Sequence, residues 1–203
     1  MTYYSILAIS DSIDLGDLDS YTFTAQAGES VLFSLADTSD IGFAPRMYLY
    51  NPDGAFLQWS PNIIQRTMTK NGKYTIVVLD SGSVGEKFGT YNLYFALIPG
   101  ANENEGGELI NGNVISDSID LGDLDTYTFS AQAGENIEFT INDTSDKDKG
   151  FVPRLYLYSP DGFFITWNKN SSKLFYTTTE SGTYTVVVLD DVVIGERTGT
   201  YDL

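Results

Sequence analysis

Apolar and polar residues alternate in short runs along the whole chain. In the segments 21–25, 74–78 and 127–131, an aromatic or aliphatic side chain occupies every second position. A period of two residues is typical of a β-strand with one buried face. No window of about 11 residues shows the 3.6-residue period of an amphipathic helix. The pattern therefore predicts an all-β protein.

Turn signals separate these runs. The tetrapeptides at 51–54 and 159–162 both contain Pro-Asp-Gly, in which Pro presets φ and Gly accepts a positive φ. Each lies between two apolar segments and predicts a β-hairpin. About eight short strands in each half of the chain, joined by such turns, are typical of a β-sandwich of jelly-roll or Greek-key type.

The chain is an internal duplication. Residues 9–19 recur letter for letter as residues 115–125, and 24 of the 32 positions in 9–40 are identical to those 106 residues later. The match continues with small changes of offset, from 42–59 to 150–167 and from 72–93 to 182–203. A repeat of this length is large enough to have its own hydrophobic core, so the duplication predicts two domains in tandem.

The domain boundaries follow from the repeat. We predict a β-sandwich in 1–98 (repeat 1), a linker in 99–107 that is rich in Gly, Asn and Glu, and a second β-sandwich in 108–203 (repeat 2). Repeat 1 continues as a strand past the position that matches Leu203. We therefore expect the last strand of repeat 2 to be truncated, and the chain to be a monomeric fragment of a longer protein.

The amino-acid composition excludes several classes of catalytic and binding site. The chain has 28 Asp and Glu against 11 Lys and Arg, a net charge of −17, and neither Cys nor His. It therefore has no disulfide, thiolate nucleophile, His-based triad or His-ligated metal. The negative charge argues against nucleic acid as a partner, and no apolar run approaches the roughly 20 residues of a membrane span. Since a deep substrate cleft is hard to build in so small a domain, we expect no enzymatic activity.

Acidic residues cluster at the start of each repeat. Four Asp residues fall within nine positions of repeat 1, and the cluster recurs in repeat 2. Its members are Asp11, Asp14, Asp17 and Asp19, and Asp117, Asp120, Asp123 and Asp125. Calcium prefers several carboxylate oxygens on a loop, so the spacing is compatible with a calcium site. The alternative is that these residues stabilise turns and keep a sheet edge soluble.

Each repeat has one Trp at the same position, Trp59 or Trp167, and the preceding strand supplies Tyr48 or Tyr156. Strict alternation places Trp59 on the same face as Leu57, which favours a core position. The alternative is an exposed aromatic platform that binds carbohydrate. Both interpretations stay open at this point.

The motifs resemble a known family. Both repeats contain, in this order, Gly-Asp-Leu-Asp-(Ser/Thr)-Tyr-Thr-Phe, Ala-Gly-Glu, Leu-Tyr-(Asn/Ser)-Pro-Asp-Gly, Gly-(Lys/Thr)-Tyr-Thr-(Ile/Val)-Val-Val and Gly-Thr-Tyr-(Asn/Asp)-Leu. The series resembles the bacterial pre-peptidase C-terminal (PPC) domain family, which is related to the collagen-binding domains of collagenases. The resemblance implies a non-catalytic jelly roll that is attached to secreted proteins, with a role in binding, targeting or spacing.

The resemblance also implies a calcium site. In the collagen-binding relatives, calcium lies between an acidic linker and an Asp before the second strand, a position that matches Asp19 and Asp125. The linker ligands carry over loosely onto Glu103, Asn104 and Glu105. Repeat 1 has no acidic residue in 1–10, so repeat 2 is the better candidate for a calcium site. Asp17 and Asp123 are further candidate ligands from the acidic clusters.

The sequence thus predicts a non-catalytic binding, targeting or spacer module of a secreted or surface bacterial protein, whose export signal lies outside this chain. Its expected partner is an extracellular protein or polysaccharide surface, and calcium is its expected ion. One alternative is a carbohydrate-binding module, and another is a structural stalk repeat of an adhesin.

Overall fold

A computed structural model describes residues 7–39, 42–81, 87–99, 106–146, 150–169, 171–190 and 197–203. These residues form strands and turns, and none of them belongs to a helix, so this part of the chain has no helix that could span a membrane. The prediction of an all-β sandwich protein is confirmed.

The described part of repeat 1 contains eight strands in two sheets. They are β1 (Leu7–Ile13), β2 (Leu18–Ala25), β3 (Ser30–Asp37), β4 (Pro45–Tyr50), β5 (Phe56–Ser60), β6 (Ile63–Thr67), β7 (Gly72–Asp80) and β8 (Gly89–Ile98). One sheet has the order β1-β8-β3-β6 and the other β2-β7-β4-β5, with antiparallel pairing throughout. This order, in which successive strands alternate between the sheets except for the β4–β5 hairpin, is that of a jelly roll.

Repeat 2 has one sheet with the plan of repeat 1, whereas the counterpart of the other sheet is divided into two separate groups of strands. Its strands are β9 (Gly106–Glu108), β10 (Ser116–Ile119), β11 (Asp125–Ala131), β12 (Asn136–Thr140), β13 (Asn142–Asp143), β14 (Pro153–Tyr158), β15 (Phe164–Trp167), β16 (Lys173–Thr177), β17 (Gly182–Asp190) and β18 (Gly199–Asp202). The order β15-β14-β17-β11 repeats that of β5-β4-β7-β2, and β9 adds a parallel strand beside β11. Residues 106 and 107, which composition assigns to the linker, are therefore part of this sheet.

Each repeat has a core of its own. The core of repeat 1 includes Phe33, Leu49 and Tyr74, and the core of repeat 2 includes Leu157 and Tyr184. These residues lie on the alternating positions that predict a buried face. Since no residue of one core cluster belongs to the other repeat, each sandwich has the apolar interior that an independent domain needs.

A third apolar cluster joins the two repeats. We call the outward surface of the β2-β7-β4-β5 sheet, and of its counterpart in repeat 2, the front face, and the outward surface of the other sheet the back face. The front face of repeat 2 packs on the back face of repeat 1. Repeat 1 contributes Leu32, Ile63, Tyr94, Ala96 and Ile98, and repeat 2 contributes Leu124, Tyr156, Tyr158, Phe164, Val187 and Leu189.

Close backbone contacts accompany this apolar packing. The side-chain amide of Asn92 donates to the carbonyl oxygen of Leu121 at 3.2 Å, which links β8 to the turn before β11. A Cβ added to Gly162, in the β14–β15 turn, would lie 2.6 Å from the carbonyl oxygen of Ile98 and 2.9 Å from Cδ of Pro99. The turn therefore touches the end of β8 so closely that only glycine fits.

Replacing Gly162 with Ala is expected to destabilise the protein more than replacing Gly54, its counterpart in repeat 1. Both glycines have a positive φ, +86° and +80°, so both variants incur a similar left-handed penalty of about 1–2 kcal/mol. Nothing lies within 4 Å of a Cβ on Gly54, whereas Gly162 meets Ile98 and Pro99.

We expect a further loss of about 1–3 kcal/mol for Gly162→Ala, because the two repeats must move apart to admit the methyl group. Urea denaturation of the two variants measures the difference in the free energy of unfolding. Equal losses would show that the turn does not pack against repeat 1.

Candidate functional site

The acidic cluster of repeat 1 forms a hydrogen-bonded chain with two tyrosines. The hydroxyl of Tyr21 donates to Oδ2 of Asp11 at 2.8 Å, and the hydroxyl of Tyr91 donates to Oδ2 of Asp19 at 2.6 Å. The two phenol oxygens are themselves 2.6 Å apart. The chain Asp11–Tyr21–Tyr91–Asp19 thus links β1, β2 and β8 across the edge of the sandwich.

Repeat 2 contains the same chain, and it is more deeply buried. Tyr127 donates to Oδ2 of Asp117 at 3.0 Å, its oxygen lies 2.6 Å from that of Tyr201, and Tyr201 donates to Oδ2 of Asp125. Asp125 is only 1% exposed, whereas Asp19 is partly exposed. We call both chains the carboxyl–phenol chains.

Burial changes the pKa values of two groups in the chain of repeat 1. Burial raises the pKa of Asp19 above its usual value of 3.8, and the hydrogen bond from Tyr91 offsets only part of this effect. Burial also raises the pKa of Tyr21 to about 12, so the phenols stay protonated at neutral pH.

Asp17 and Asp123 stabilise turns. Oδ1 of Asp17 accepts a hydrogen bond from the backbone N–H of Leu18 at 2.7 Å, and Asp123 does the same for Leu124 at 2.7 Å. In both repeats the backbone N–H of this Asp also closes the turn at 3.1 Å. These contacts are the turn-stabilising interactions that the alternative interpretation of the acidic clusters predicts.

The expected linker ligands Glu103, Asn104 and Glu105 lie outside the described residues. Within the ranges that the structure describes, no group of three or more acidic side chains is arranged to hold a metal ion. Calcium at Asp19 or Asp125 therefore stays a prediction. Sequence analysis missed the tyrosines that share these carboxyls, although Tyr21 and Tyr91 recur in repeat 2 at the positions of Tyr127 and Tyr201.

The aromatic residues of repeat 1 lie on the front face. Tyr48 pairs directly with Trp59 across β4 and β5, and the guanidinium carbon of Arg46 lies 4.2 Å from the centroid of the indole. Trp59 is 49% exposed, so the expectation that it belongs to the core is wrong. The cause is a β-bulge at Leu57: Gln58 pairs with Leu49 while Phe56 pairs with Tyr50, which interrupts the alternation.

Repeat 2 has the same local arrangement. Trp167 pairs with Tyr156, and the guanidinium carbon of Arg154 lies 4.1 Å from its ring centroid. A bulge at Ile165 matches that at Leu57, and Trp167 is partly exposed, so the core expectation is wrong for Trp167 as well. The structure therefore places each Trp beside its expected Tyr, with a cation stacked on the ring.

The two front faces differ in exposure. Leu18 is 54% and Phe56 51% exposed in repeat 1, where Tyr48, Tyr50, Val77 and Leu79 are partly exposed. In repeat 2, Leu124 is fully buried because repeat 1 covers it. The front face of repeat 1 is thus a continuous apolar and aromatic surface with no cover from the described part of this chain.

A cavity of about 880 Å³ opens in repeat 2 between β12 and the loop 109–115. Its lining includes Ile110, Phe139 and Leu203. In repeat 1 the corresponding strand β3 pairs with residues 91–98 of β8, whereas β18 contains the counterpart of only the first four residues of β8. The cavity therefore lies beside β12 on the side where β3 of repeat 1 has β8 as its neighbour.

No model of a known protein family matches the chain, and no curated protein sequence matches it. Among solved structures, the chain is similar to the CUB1-EGF-CUB2 domain of human MASP-1/3, with 9% sequence identity and a TM-score of 0.31 over 98% of each chain. It is also similar to tripeptidyl peptidase 2, with 7% identity and a TM-score of 0.30, over 97% of this chain and 23% of that one. TM-scores this low do not indicate a shared function. The function is therefore inferred from the surfaces of this chain.

The raised pKa of Asp19 predicts a pH dependence of stability. Because the folded-state pKa lies above the unfolded value of about 3.8, the native state binds more protons than the unfolded state between the two values. The stabilisation is present below the unfolded pKa and is lost as the pH rises through the folded pKa. Asp19→Asn removes this titration.

Urea denaturation at a series of pH values between about 3 and 7 checks the prediction. The native protein should lose stability with rising pH relative to Asp19→Asn, and the difference should level off above the folded pKa. Asp14→Asn, which changes an exposed carboxyl in the same acidic cluster, is the matched control. A difference between the native protein and Asp19→Asn that is constant over the whole range would contradict a raised pKa of Asp19 in the folded protein.

Proposed function

We propose that the chain is a non-catalytic binding module of a secreted or surface-exposed bacterial protein, and that the front face of repeat 1 is its binding surface. One observation carries the proposal. Leu18, Phe56 and Trp59 are each about half exposed on the same side of one sheet. Contiguous apolar surfaces of this kind mark sites of interaction with another molecule.

The chemistry of the acidic residues supports a non-catalytic role. Each carboxyl–phenol chain links its two Asp side chains to Tyr hydroxyls, which are weak acids with raised pKa values. The sequence contains no His or Cys that would supply a base or nucleophile near neutral pH. The chains therefore act as structural bridges between the strands of each sandwich.

Carbohydrate is a second candidate ligand, favoured by the exposed Trp59 and its neighbour Tyr48. One side of the indole ring carries the Arg46 guanidinium, and a sugar ring stacks on the other side. A spacer role is compatible with the apolar contact between the repeats, which joins them over a sheet face instead of through the linker alone. The resemblance to pre-peptidase C-terminal domains supports binding and spacing alike.

The experiment is a binding screen of the native chain on arrays of glycans and extracellular matrix proteins. We expect at least one ligand whose binding falls tenfold or more in Leu79→Lys and Trp59→Ala, since both change the front face of repeat 1. Trp167→Ala is the matched control in repeat 2 and should keep the binding.

A protein ligand whose binding depends on Leu79 supports the main proposal, whereas a glycan that depends on Trp59 alone supports the carbohydrate candidate. A ligand that binds all variants equally would place the binding surface elsewhere. If neither array contains a ligand, the protein-binding proposal and the carbohydrate candidate are both contradicted, and the spacer role is left.

We also propose that calcium binds repeat 2 and stabilises it. At a free calcium concentration of about 100 times Kd, binding to the native state would raise the free energy of unfolding by about 2.7 kcal/mol. We expect a higher Tm in calcium than in EDTA, with the difference abolished in Asp125→Ala and largely retained in the matched variant Asp19→Ala. Equal Tm values in calcium and EDTA for the native chain would contradict the calcium site.

A further inference from the structure

The buried front face of repeat 2 has an identical counterpart in repeat 1. Every front-face residue of the cluster that joins the repeats recurs in repeat 1 as the same amino acid. The counterparts of Leu124, Tyr156, Tyr158, Phe164, Val187 and Leu189 are Leu18, Tyr48, Tyr50, Phe56, Val77 and Leu79. Repeat 1 therefore presents the same docking surface that repeat 2 uses inside this chain.

This surface is covered in repeat 2, whereas in repeat 1 none of the residues that the structure describes covers it. Tyr158, Val187 and Leu189 are fully buried against repeat 1, and burial there raises the pKa of Tyr158 well above its usual value. Their counterparts Tyr50, Val77 and Leu79 are only partly buried. The difference arises from the cover, because the side chains and their strands are the same.

The back faces differ in chemistry. In repeat 1, Leu32 on β3 and Ile63 on β6 form part of the apolar surface that receives repeat 2. Strand pairing places Glu138 and Lys173 at these positions in repeat 2, where they form an ion pair with both side chains about half exposed. A charged pair in this place opposes apolar docking, since burial would strip both groups of water.

We propose that the front face of repeat 1 binds the apolar back face of another β-sandwich repeat of the same type, as repeat 2 binds repeat 1. The inference rests on the proposed function, because it names the partner of the same surface. The partner must present aliphatic side chains at the positions of Leu32, Ile63 and Ala96. Docking is directional, because a front face meets a back face, and the Glu138–Lys173 pair disfavours apolar docking on the back face of repeat 2.

A second copy of the full chain does not meet this requirement. The back face of its repeat 1 is covered by its own repeat 2, and the back face of its repeat 2 carries the Glu138–Lys173 pair. A glycan fits less well than a protein, because Val77 and Leu79 on the central strand β7 give the middle of the surface an aliphatic character, which Leu18 on the edge strand β2 extends. We therefore expect the full chain to be monomeric, with the front face of repeat 1 available to a partner.

The fragment 1–99 provides a probe with both halves open. All strands of repeat 1 pair with each other, and its core cluster contains only its own residues, so the fragment has what it needs to fold. Its front and back faces are complementary but lie on opposite sides, so docking between copies is head-to-tail. We expect the native fragment to form oligomers that grow with concentration in sedimentation velocity.

Two variants test the specificity of the contact. Leu32→Glu places on the back face the residue that repeat 2 has there, and Leu79→Lys places a charge on the front face. Each variant fragment should be monomeric, because one half of the interface is lost. Mixed together, the two should form a 1:1 complex between the intact front face of one and the intact back face of the other. Non-specific association would instead persist in each variant or produce no defined stoichiometry.

The full chain supplies the second measurement. It should bind the Leu79→Lys fragment in a 1:1 complex, and the same substitution in the full chain should weaken this binding at least tenfold. If circular dichroism shows the fragment unfolded, residues 1–105 are added in front of the full chain instead. Trp59 of the original repeat 1 should then be protected from iodide quenching, and Leu32→Glu in the added copy should restore its exposure.

Three outcomes would overturn the inference. Self-association of the native full chain through Leu79 would make a second copy the partner. Folded fragments that stay monomeric and do not bind the full chain would show that the docking surface is specific to repeat 2. A ligand on the arrays that depends on Leu79, together with no fragment binding, would uphold the proposed function and refute this partner.

Discussion

Apolar burial between the front face of repeat 2 and the back face of repeat 1 determines how this protein is organised. Each sandwich already has its own core, so the contact is an addition to two folded domains. It turns a tandem of jelly rolls into a unit whose two ends differ in chemistry. One end presents aliphatic and aromatic side chains, and the other presents the Glu138–Lys173 pair beside the exposed ring of Phe175. The front face of repeat 1 is inferred to be a docking surface because the same residues are buried in an apolar contact in repeat 2.

Much of the fold could be predicted from the sequence. The alternation of apolar residues and the Pro-Asp-Gly turns indicated the strands, and the duplication indicated two domains. Strict alternation placed Trp59 in the core, whereas it lies on the outward face. The cause is a bulge at Leu57, which adds one residue to β5 and reverses the alternation beyond it. The contact between the repeats was also missed, although the change from Leu32 to Glu138 was visible in the alignment. Comparing the two copies at outward positions would have revealed it.

The acidic clusters show a different limit of sequence analysis. Spacing alone did not distinguish a calcium site from turn-stabilising carboxyls, because both require Asp on a short loop. Asp17 and Asp123 bind backbone N–H groups, and Asp19 and Asp125 accept hydrogen bonds from tyrosines on a strand far along the chain. Long-range partners of this kind follow from the topology, which brings β1, β2 and β8 together. The tyrosines therefore determine the position and hydrogen bonding of these Asp side chains as much as the spacing of the Asp residues does.

The linker has a consequence for the strength of the contact between the repeats. Only six residues separate Pro99, at the end of β8, from Gly106, where β9 joins the sheet of repeat 2. A chain of that length spans at most about 25 Å, so each repeat experiences the other at an effective concentration in the millimolar range. An interface with a Kd of about 0.1 mM between separate molecules would then be closed more than about nine-tenths of the time within one chain. The same surface can thus be closed most of the time between neighbours on one chain and open most of the time between separate molecules at micromolar concentration.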